Sequence, residues 1–288
     1  MIPSQFDYVA PATLSEALAL LAQHADEAKI LAGGHSLIPA MKLRLAMPQV
    51  LIDIGRIKDL AYIREEGSQI RIGAMTTHYQ IEASDRLREV CPLLPETAAQ
   101  IGDVQVRNKG TIGGSLAHAD PAADWPAAII AVRAEIVATG ASGDRVIKAD
   151  DFFVDMLTTA LQPGEILREI RIPAASGRFG QAYLKVPQPA SGFAVVGIAV
   201  SLTRTAAGGC ESASIGVTGV ASKAYRASAV EKALAGSALD EQAIAAAAAH
   251  AADGVSINGD LYASDDYRRH LAQVYTRRAI EAAAARAS

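Results

Sequence analysis

The sequence contains very little cysteine. Only Cys91 and Cys210 occur among the 288 residues, and they lie far apart in the chain. A disulfide framework is therefore not expected, and two thiolates cannot build an iron–sulfur cluster, which is normally held by four ligands. Any redox chemistry of this chain must use another kind of cofactor.

Long apolar runs and concentrated positive charge are also missing. No charge-free apolar run has the roughly 20 residues that a membrane-spanning helix requires. The N-terminal stretch MIPSQFDYVAPATLSEA lacks the basic and apolar regions of a signal peptide. The net charge is −4, and no stripe of Lys and Arg could neutralise a phosphate backbone. We therefore expect a cytoplasmic protein that has no membrane span and does not bind nucleic acid.

Several motifs that carry nucleotide chemistry or hydrolysis are absent. The chain contains neither G-x-G-x-x-G nor G-x-x-x-x-G-K-[ST], which excludes the usual Rossmann and P-loop sites. Ser36 and Ser115 are not part of a nucleophile elbow, so hydrolysis is not expected. No second cluster of His or Cys accompanies His118 and Asp120, so we expect no metal site. A dinucleotide would have to be bound in a different way.

The pattern of hydrophobic residues indicates an α+β protein in three parts. Half of the residues are hydrophobic, which is enough for two or three compact subdomains. The first part alternates helix and strand, the second contains hairpins and helices, and a break rich in Gly, Ser and Pro precedes three strand-like runs and an Ala-rich helical end. The predicted divisions are 1–57, 58–177 and 178–288, with helices at 13–24, 37–44 and about 265–286.

Two glycine pairs stand out because each follows an apolar stretch and is followed by Ser. The first is Gly33-Gly34-His35-Ser36 and the second is Gly113-Gly114-Ser115. Adjacent backbone N–H groups in such turns form an anion-binding nest, and the missing side chains let phosphate oxygens approach. The two segments together could hold a pyrophosphate.

Nearby polar residues each have more than one interpretation. His35 could anchor a flavin covalently, act as a general base, or be held by local hydrogen bonds, and its spacing favours the last. Asp120 is interpreted as the cap of a turn before Pro121. Asp124 could cap the helix that begins at Trp125, accept hydrogen bonds from a ribose, or do both.

Four segments carry a resemblance to a known family: AGGHSLIPAMKLRLA, IGAMTTH, VRNKGTIGGSLAHADPAADWPA and GEILREIRIP. The sequence resembles the FAD-binding medium subunit of molybdenum hydroxylases, nearest to that of carbon monoxide dehydrogenase and related to the flavin domain of xanthine dehydrogenase. The resemblance covers essentially the whole chain. It implies a two-subdomain FAD-binding fold of the covalent-flavin-oxidase superfamily type (PCMH-like), followed by a C-terminal domain with a three-stranded antiparallel sheet and helices.

The resemblance also implies the residues that bind noncovalent FAD. The pyrophosphate would lie between the two glycine segments, a carboxylate would contact the FAD sugar, and apolar, basic and aromatic positions would surround the flavin ring. No residue of this chain is expected to act on the organic substrate. The implied cofactor-binding residues are Ala32, Gly33, Gly34, His35, Ser36, Ile101, Thr111, Ile112, Gly113, Gly114, Ser115, His118, Asp124, Leu167, Lys185 and Phe193.

Partners and function follow from the same resemblance. A large subunit would hold the molybdenum cofactor, a small subunit would hold two [2Fe–2S] clusters, and the assembly would be a dimer of heterotrimers. This chain would be an oxidoreductase component that passes electrons from the clusters through FAD to an external acceptor. The family often has basic residues and Asp before the ring-covering aromatic, whereas this chain reads KVPQPASGF. A self-contained flavin oxidase or reductase and a scaffold with a decayed FAD site are the alternatives.

Overall fold

The computed structural model describes residues 1–175 and 177–287. Ser176, within the predicted break, and Ser288, at the end of the predicted third part, lie outside the described residues. Among the described helices, none is both long and apolar enough to cross a membrane.

The N-terminal segment forms a small parallel sheet with two helices. The strand order is β1-β3-β2, and both pairs are parallel. Helix α1 buries Ala17 and Leu21 against this sheet, and Thr13 caps its first turn. The sequence did not predict β1, because three residues are too few to show alternation. The elements are β1 (Asp7–Val9), α1 (Leu14–His24), β2 (Ala28–Leu31), α2 (Leu37–Lys42) and β3 (Val50–Asp53).

The middle segment is a five-stranded antiparallel sheet packed against helices. Its strand order is β4-β5-β10-β6-β7, and β8 and β9 form a separate small pair. The second glycine segment was predicted as a turn, but Gly113 and Gly114 lie inside helix α7. The elements are β4 (Ile63–Glu66), β5 (Gln69–Gly73), α3 (His78–Glu82), α4 (Asp85–Val90), α5 (Leu93–Ala99), α6 (Val104–Lys109), α7 (Ile112–His118), α8 (Asp124–Ala131), β6 (Glu135–Gly140), β7 (Gly143–Lys148), α9 (Ala149–Phe152), β8 (Phe153–Asp155), β9 (Thr158–Thr159) and β10 (Ile166–Pro173).

The C-terminal segment is an antiparallel sheet covered by helices. Three strands were predicted, and the structure adds a fourth, β14, whose two residues pair with Gly216 and Val217. Two residues leave no pattern in the sequence. The last helix has the bounds predicted for it. The elements are β11 (Arg178–Pro187), β12 (Ala194–Arg204), β13 (Cys210–Thr218), β14 (Tyr225–Arg226), α10 (Ser228–Leu234), α11 (Glu241–Ala248) and α12 (Asp265–Arg286).

Helix α8 fixes the C-terminal sheet to the middle segment. All eight of its residues are buried, and it packs against β12 and β13. The Thr218 hydroxyl donates to the backbone oxygens of Pro121 and Ala123, each at 2.8 Å, just before the helix begins. Asp124, the first residue of α8, is therefore held at the boundary between the two segments.

Candidate cofactor site

The first glycine segment is an open turn between β2 and α2. Gly34 has a φ of +78°, which favours glycine. Among the described residues, the N–H groups of Gly34, His35 and Ser36 have no backbone acceptor, and the Ser36 hydroxyl makes no hydrogen bond. The His35 ring is exposed, and its Nδ1 lies 3.1 Å from the oxygen of Gly33. This contact confirms the interpretation that local hydrogen bonding holds His35.

The second glycine segment is closed. The expectation that the N–H groups of this segment are free is wrong. They already donate to oxygens of Thr111, at the start of α7, and of Ala74 and Thr76. The Ser115 hydroxyl, in contrast, makes no hydrogen bond to the described residues. The donors and acceptors are Ile112 N to Thr76 O (3.0 Å), Gly113 N to Ala74 O (2.9 Å), Gly114 N to the Thr111 hydroxyl (3.1 Å) and Ser115 N to Thr111 O (3.0 Å).

Close packing between chain segments explains several of the glycines. A methyl group on Gly33 would lie 2.5 Å from the oxygen of Lys109 and 2.8 Å from the α-carbon of Gly110. A methyl group on Gly113 would lie 2.5 Å from the β-carbon of Ala74. The first glycine segment therefore packs against the chain that leads into the second, and protein packing requires Gly33 and Gly113 whatever they contribute to phosphate binding.

A second cluster forms around the buried ammonium group of Lys185. Its Nζ lies 2.9 Å from Oδ1 of Asp124 and donates to the backbone oxygens of Gln100 (2.6 Å) and Gly192 (2.8 Å). Ile101 and Phe193 are the residues next to those two oxygens. The structure thus brings together four predicted site residues, Ile101, Asp124, Lys185 and Phe193. The three acceptors match the three hydrogens of the ammonium group.

One interpretation of the sequence made Asp124 a helix cap, but in the structure Ala123 occupies the cap position. Asp124 is the first residue of α8, and its Oδ1 accepts from the Tyr183 hydroxyl at 2.5 Å as well as from Lys185. Burial raises the pKa of the Asp124 carboxyl, while the charge of Lys185 and the bond from Tyr183 oppose that rise. Burial and the neighbouring carboxylate hold the pKa of Tyr183 well above its usual value. Oδ2 of Asp124 makes no hydrogen bond to the described residues.

The departure KVPQPASGF forms a defined turn. The side-chain oxygen of Gln188 accepts from the N–H groups of Ala190 and Ser191, each at 2.7 Å, and Gly192 N donates to the Gln188 backbone oxygen at 2.8 Å. The turn leaves the Phe193 side chain 42% exposed at its end. The stretch that departs from the family's pattern is therefore ordered. It ends in an exposed aromatic residue, Phe193, next to Gly192, whose backbone oxygen binds Lys185.

His78 lies between the glycine segments and the Lys185 cluster, because its ring contacts both Gly110 and Trp125, the residue after Asp124. It was not among the predicted site residues. Its ring is buried, and Nδ1 accepts from the indole N–H of Trp125 at 3.0 Å. Burial, followed by the nearby charges of His35 and Arg107, lowers the pKa of His78 to about 4. Thr77 and Gln80 form a capping box that could have predicted a helix starting at His78. No sequence signal links His78 to Trp125.

Three other residues have separate positions. His118 ends α7 and is partly exposed, and Leu167 is buried in the main hydrophobic cluster. Among the described residues, no hydrogen bond ties the His118 side chain to the glycine segments or to the Lys185 cluster. Asp120 accepts from the N–H of Ala122 at 2.9 Å, which confirms that it caps a turn.

Two family models match the chain in succession. Residues 4–175 match the FAD binding domain in molybdopterin dehydrogenase, and residues 181–283 match the CO dehydrogenase flavoprotein C-terminal domain. The chain belongs to the family of FAD-binding medium subunits of molybdenum hydroxylases. This membership confirms the predicted family, the mixed helix and sheet fold class, the assignment as an oxidoreductase component and FAD as the cofactor.

Individual relatives resemble this family member over its full length. The medium chain of carbon monoxide dehydrogenase from Afipia carboxidovorans is 43% identical, covering 100% of this chain and 99% of that protein. Subunit alpha of the 6-hydroxypseudooxynicotine dehydrogenase complex from Paenarthrobacter nicotinovorans is 37% identical, covering 100% and 97%. A solved structure of carbon monoxide dehydrogenase from Hydrogenophaga pseudoflava has a TM-score of 0.97 and 45% identity, with both chains fully covered. The first two of these relatives are named as parts of larger enzymes.

Proposed function

We propose that the glycine segments and the Lys185 cluster together hold one FAD molecule. Through this FAD, the chain passes electrons from partner subunits to an external acceptor. The observation that carries the proposal is the set of available donors in the first glycine segment, namely the N–H groups of Gly34, His35 and Ser36 and the Ser36 hydroxyl. They suit pyrophosphate oxygens because backbone N–H groups in a tight turn concentrate positive potential. The contact between the first glycine segment and the chain that leads into the second supports a pyrophosphate at that junction.

The second cluster suits the remainder of the cofactor. Oδ2 of Asp124 is available to accept hydrogen bonds from the FAD sugar. Lys185 has its three hydrogens engaged, so its contribution near a flavin ring is its positive charge. Phe193 and Ile101 offer apolar surface for the ring. We propose that these residues, with Ala32, Gly33, Thr111 to Ser115, His118 and Leu167, form the site.

The chain's contribution to electron transfer is positioning and tuning. Bound FAD can accept electrons one at a time and release two, which suits a junction with one-electron iron–sulfur clusters. Asp124 and the backbone oxygens of Gln100 and Gly192 hold the Lys185 ammonium group in place, because each of its three hydrogens has a partner within 2.9 Å. The buried Lys185–Asp124 ion pair, fixed in this way, sets the local field at the flavin and so affects its reduction potential.

The assembly and location remain part of this proposal. The relative from Hydrogenophaga pseudoflava is titled as a carbon monoxide dehydrogenase that lacks the Mo-pyranopterin moiety of its molybdenum cofactor. By analogy, a large subunit would hold such a cofactor and a small subunit two [2Fe–2S] clusters, in a dimer of heterotrimers. We also propose a cytoplasmic location and the three-part division 1–57, 58–177 and 178–288. The substrate would be chosen by the large subunit.

The test is the visible spectrum of the complex that co-purifies with the tagged chain from its native host. Flavin bands together with a broad iron–sulfur absorption are expected, since the two cysteines of this chain cannot supply the clusters. A flavin spectrum without partner proteins would overturn the electron-relay function, and a preparation without flavin would overturn the FAD site.

A further inference from the structure

The hydrogen-bonding state of His78 is set by Trp125. An indole N–H can only donate, so Nδ1 of His78 must be the acceptor in their 3.0 Å bond. In a neutral ring the single hydrogen then lies on Nε2. His78 is 4% exposed and Trp125 is fully buried, so neither ring can turn freely to exchange these roles. His78 is therefore a neutral imidazole with a donor at Nε2.

This donor lies at the junction of the glycine segments. A methyl group on Gly110 would lie 2.6 Å from Nε2, and a methyl group on Gly33 would lie 2.8 Å from the α-carbon of Gly110. The His78 backbone N–H also donates to the oxygen of Gly110 at 3.0 Å. Nε2 thus borders the place where the first glycine segment meets the chain leading into the second.

Nε2 has no acceptor in the part of the chain that the structure describes. It is also not one of the fully enclosed polar atoms that lack a partner, so this atom keeps some access to its surroundings. Such a donor takes its hydrogen bond from water or from a ligand. The arrangement is explained if a ligand supplies the acceptor.

The missing acceptor has the character of an oxyanion. The charged groups that affect the ring are His35 from the first glycine segment and Arg107 from α6, and the Arg107 guanidinium is engaged by Glu82 at 2.7 Å. On the α7 side, the N–H groups from Ile112 to Ser115 already have acceptors. Among the described residues, the donors left on that side include Nε2 of His78 and the hydroxyls of Thr111 and Ser115.

We propose that Nε2 of His78 donates a hydrogen bond to a pyrophosphate oxygen of FAD, with Trp125 fixing the tautomer that makes this possible. This inference rests on the proposed FAD function and adds a positioning residue to it. Gly110 lies against both Nε2 of His78 and Gly33. The pyrophosphate is then bound by the backbone donors of the first glycine segment and by a neutral ring.

Two substitutions separate the two ring nitrogens. His78→Asn keeps an acceptor near Nδ1 for Trp125 and removes the Nε2 donor, whereas His78→Gln places an amide donor near Nε2. Flavin fluorescence of the deflavinated full chain, titrated with FAD, measures affinity. His78→Asn is expected to bind FAD about 10- to 100-fold more weakly, as for loss of a hydrogen bond to a charged group. His78→Gln is expected to stay within about threefold of the unsubstituted chain.

A measurement on the unsubstituted chain avoids any folding defect of the variants. In chain labelled with ¹⁵N-histidine, the Nε2–H signal of His78 should move on addition of FAD and stay in place on addition of riboflavin, which lacks phosphate. Equal shifts with both ligands, or no shift with bound FAD, would overturn the inference. Equal FAD affinity of His78→Asn would do the same while leaving FAD binding intact. If the unsubstituted chain bound no FAD, the inference and the proposed function would both fail.

Discussion

The two glycine segments have similar sequences but different structures. The first, Gly33 to Ser36, leaves backbone donors available and holds an exposed histidine at its turn. The second, Gly113 to Ser115, lies in the first turns of α7 with its donors engaged, and it continues into the closed cluster of Asp124 and Lys185. Glycine therefore marks an open anion site in one segment and close packing in the other. Substitutions on the closed side should change stability, and those on the open side should change flavin affinity.

The largest effect is expected on the closed side. Lys185→Met leaves the buried carboxylate of Asp124 without its cation, and removing one partner of a buried ion pair costs about 3–5 kcal/mol. Urea denaturation would measure the loss of unfolding free energy. The double variant Lys185→Met with Asp124→Asn removes the uncompensated charge and should be more stable than Lys185→Met alone. A loss below about 1 kcal/mol in Lys185→Met would mean that the cluster is not closed.

His78, which lies between the open and the closed side, should make the stability of the chain depend on pH. The pKa of His78 falls from 6.5 to about 4 on folding, so the unfolded chain binds more protons between these values. Stability from this group is complete above pH 6.5 and is lost as the pH falls to about 4. The difference of 2.5 pH units corresponds to about 3 kcal/mol. Denaturation at pH 7 and pH 4 should show this additional loss in the unsubstituted chain relative to His78→Asn, and parallel curves would contradict it.

A smaller loss is expected from filling the packed contact in α7. Gly113→Ala would place its methyl group 2.6 Å from the backbone oxygen of Ala74, which cannot move aside cheaply. We expect a loss of about 1–3 kcal/mol in unfolding free energy, measured by denaturant. Gly67→Ala serves as the control, because its methyl group meets no atom within 4 Å and only its positive φ is strained. A Gly113 variant more stable than this control would show that the segment is not close-packed.

The smallest stability effect is expected on the open side. Ser36→Ala removes a hydroxyl that has no partner in the described chain, so unfolding free energy should change by less than about 0.5 kcal/mol. FAD affinity should fall roughly tenfold, because a hydrogen bond to phosphate is lost. Denaturation and flavin titration of the same preparation provide both values. A stability loss with unchanged affinity would reverse the assignment of this side.

The sequence predicts the regular elements better than it predicts the contacts of the site. The long helix Asp265–Arg286 was predicted with these bounds from its extended amphipathic pattern, and the structure shows in addition that Ser264 caps it. Strand β1 and strand β14 were missed because they contain three and two residues. The sequence predicts a turn rather than helix α7, because Gly113-Gly114 normally disfavours helix. Tertiary packing overrides that preference here.

The contacts of the site depend on residues that are distant in the chain. The resemblance named Asp124 and Lys185, but nothing in their local sequence indicates that they share an ion pair or that Tyr183 completes it. His78 has no motif of its own, and its partner Trp125 is brought to it by tertiary packing, in which α5 contacts both α3 and α8. The sequence pattern identifies the two glycine segments as candidate phosphate-binding turns. Only the structure shows which of their N–H groups lack an acceptor.

A crystal structure of the chain grown with FAD would test the central claim most directly. The account predicts pyrophosphate oxygens about 3 Å from the N–H groups of Gly34, His35 and Ser36, and also from Nε2 of His78. It also predicts that the N–H groups of Gly113 and Gly114 keep their bonds to the protein. A pyrophosphate bound by the α7 donors, with the Gly34 to Ser36 donors facing solvent, would contradict it.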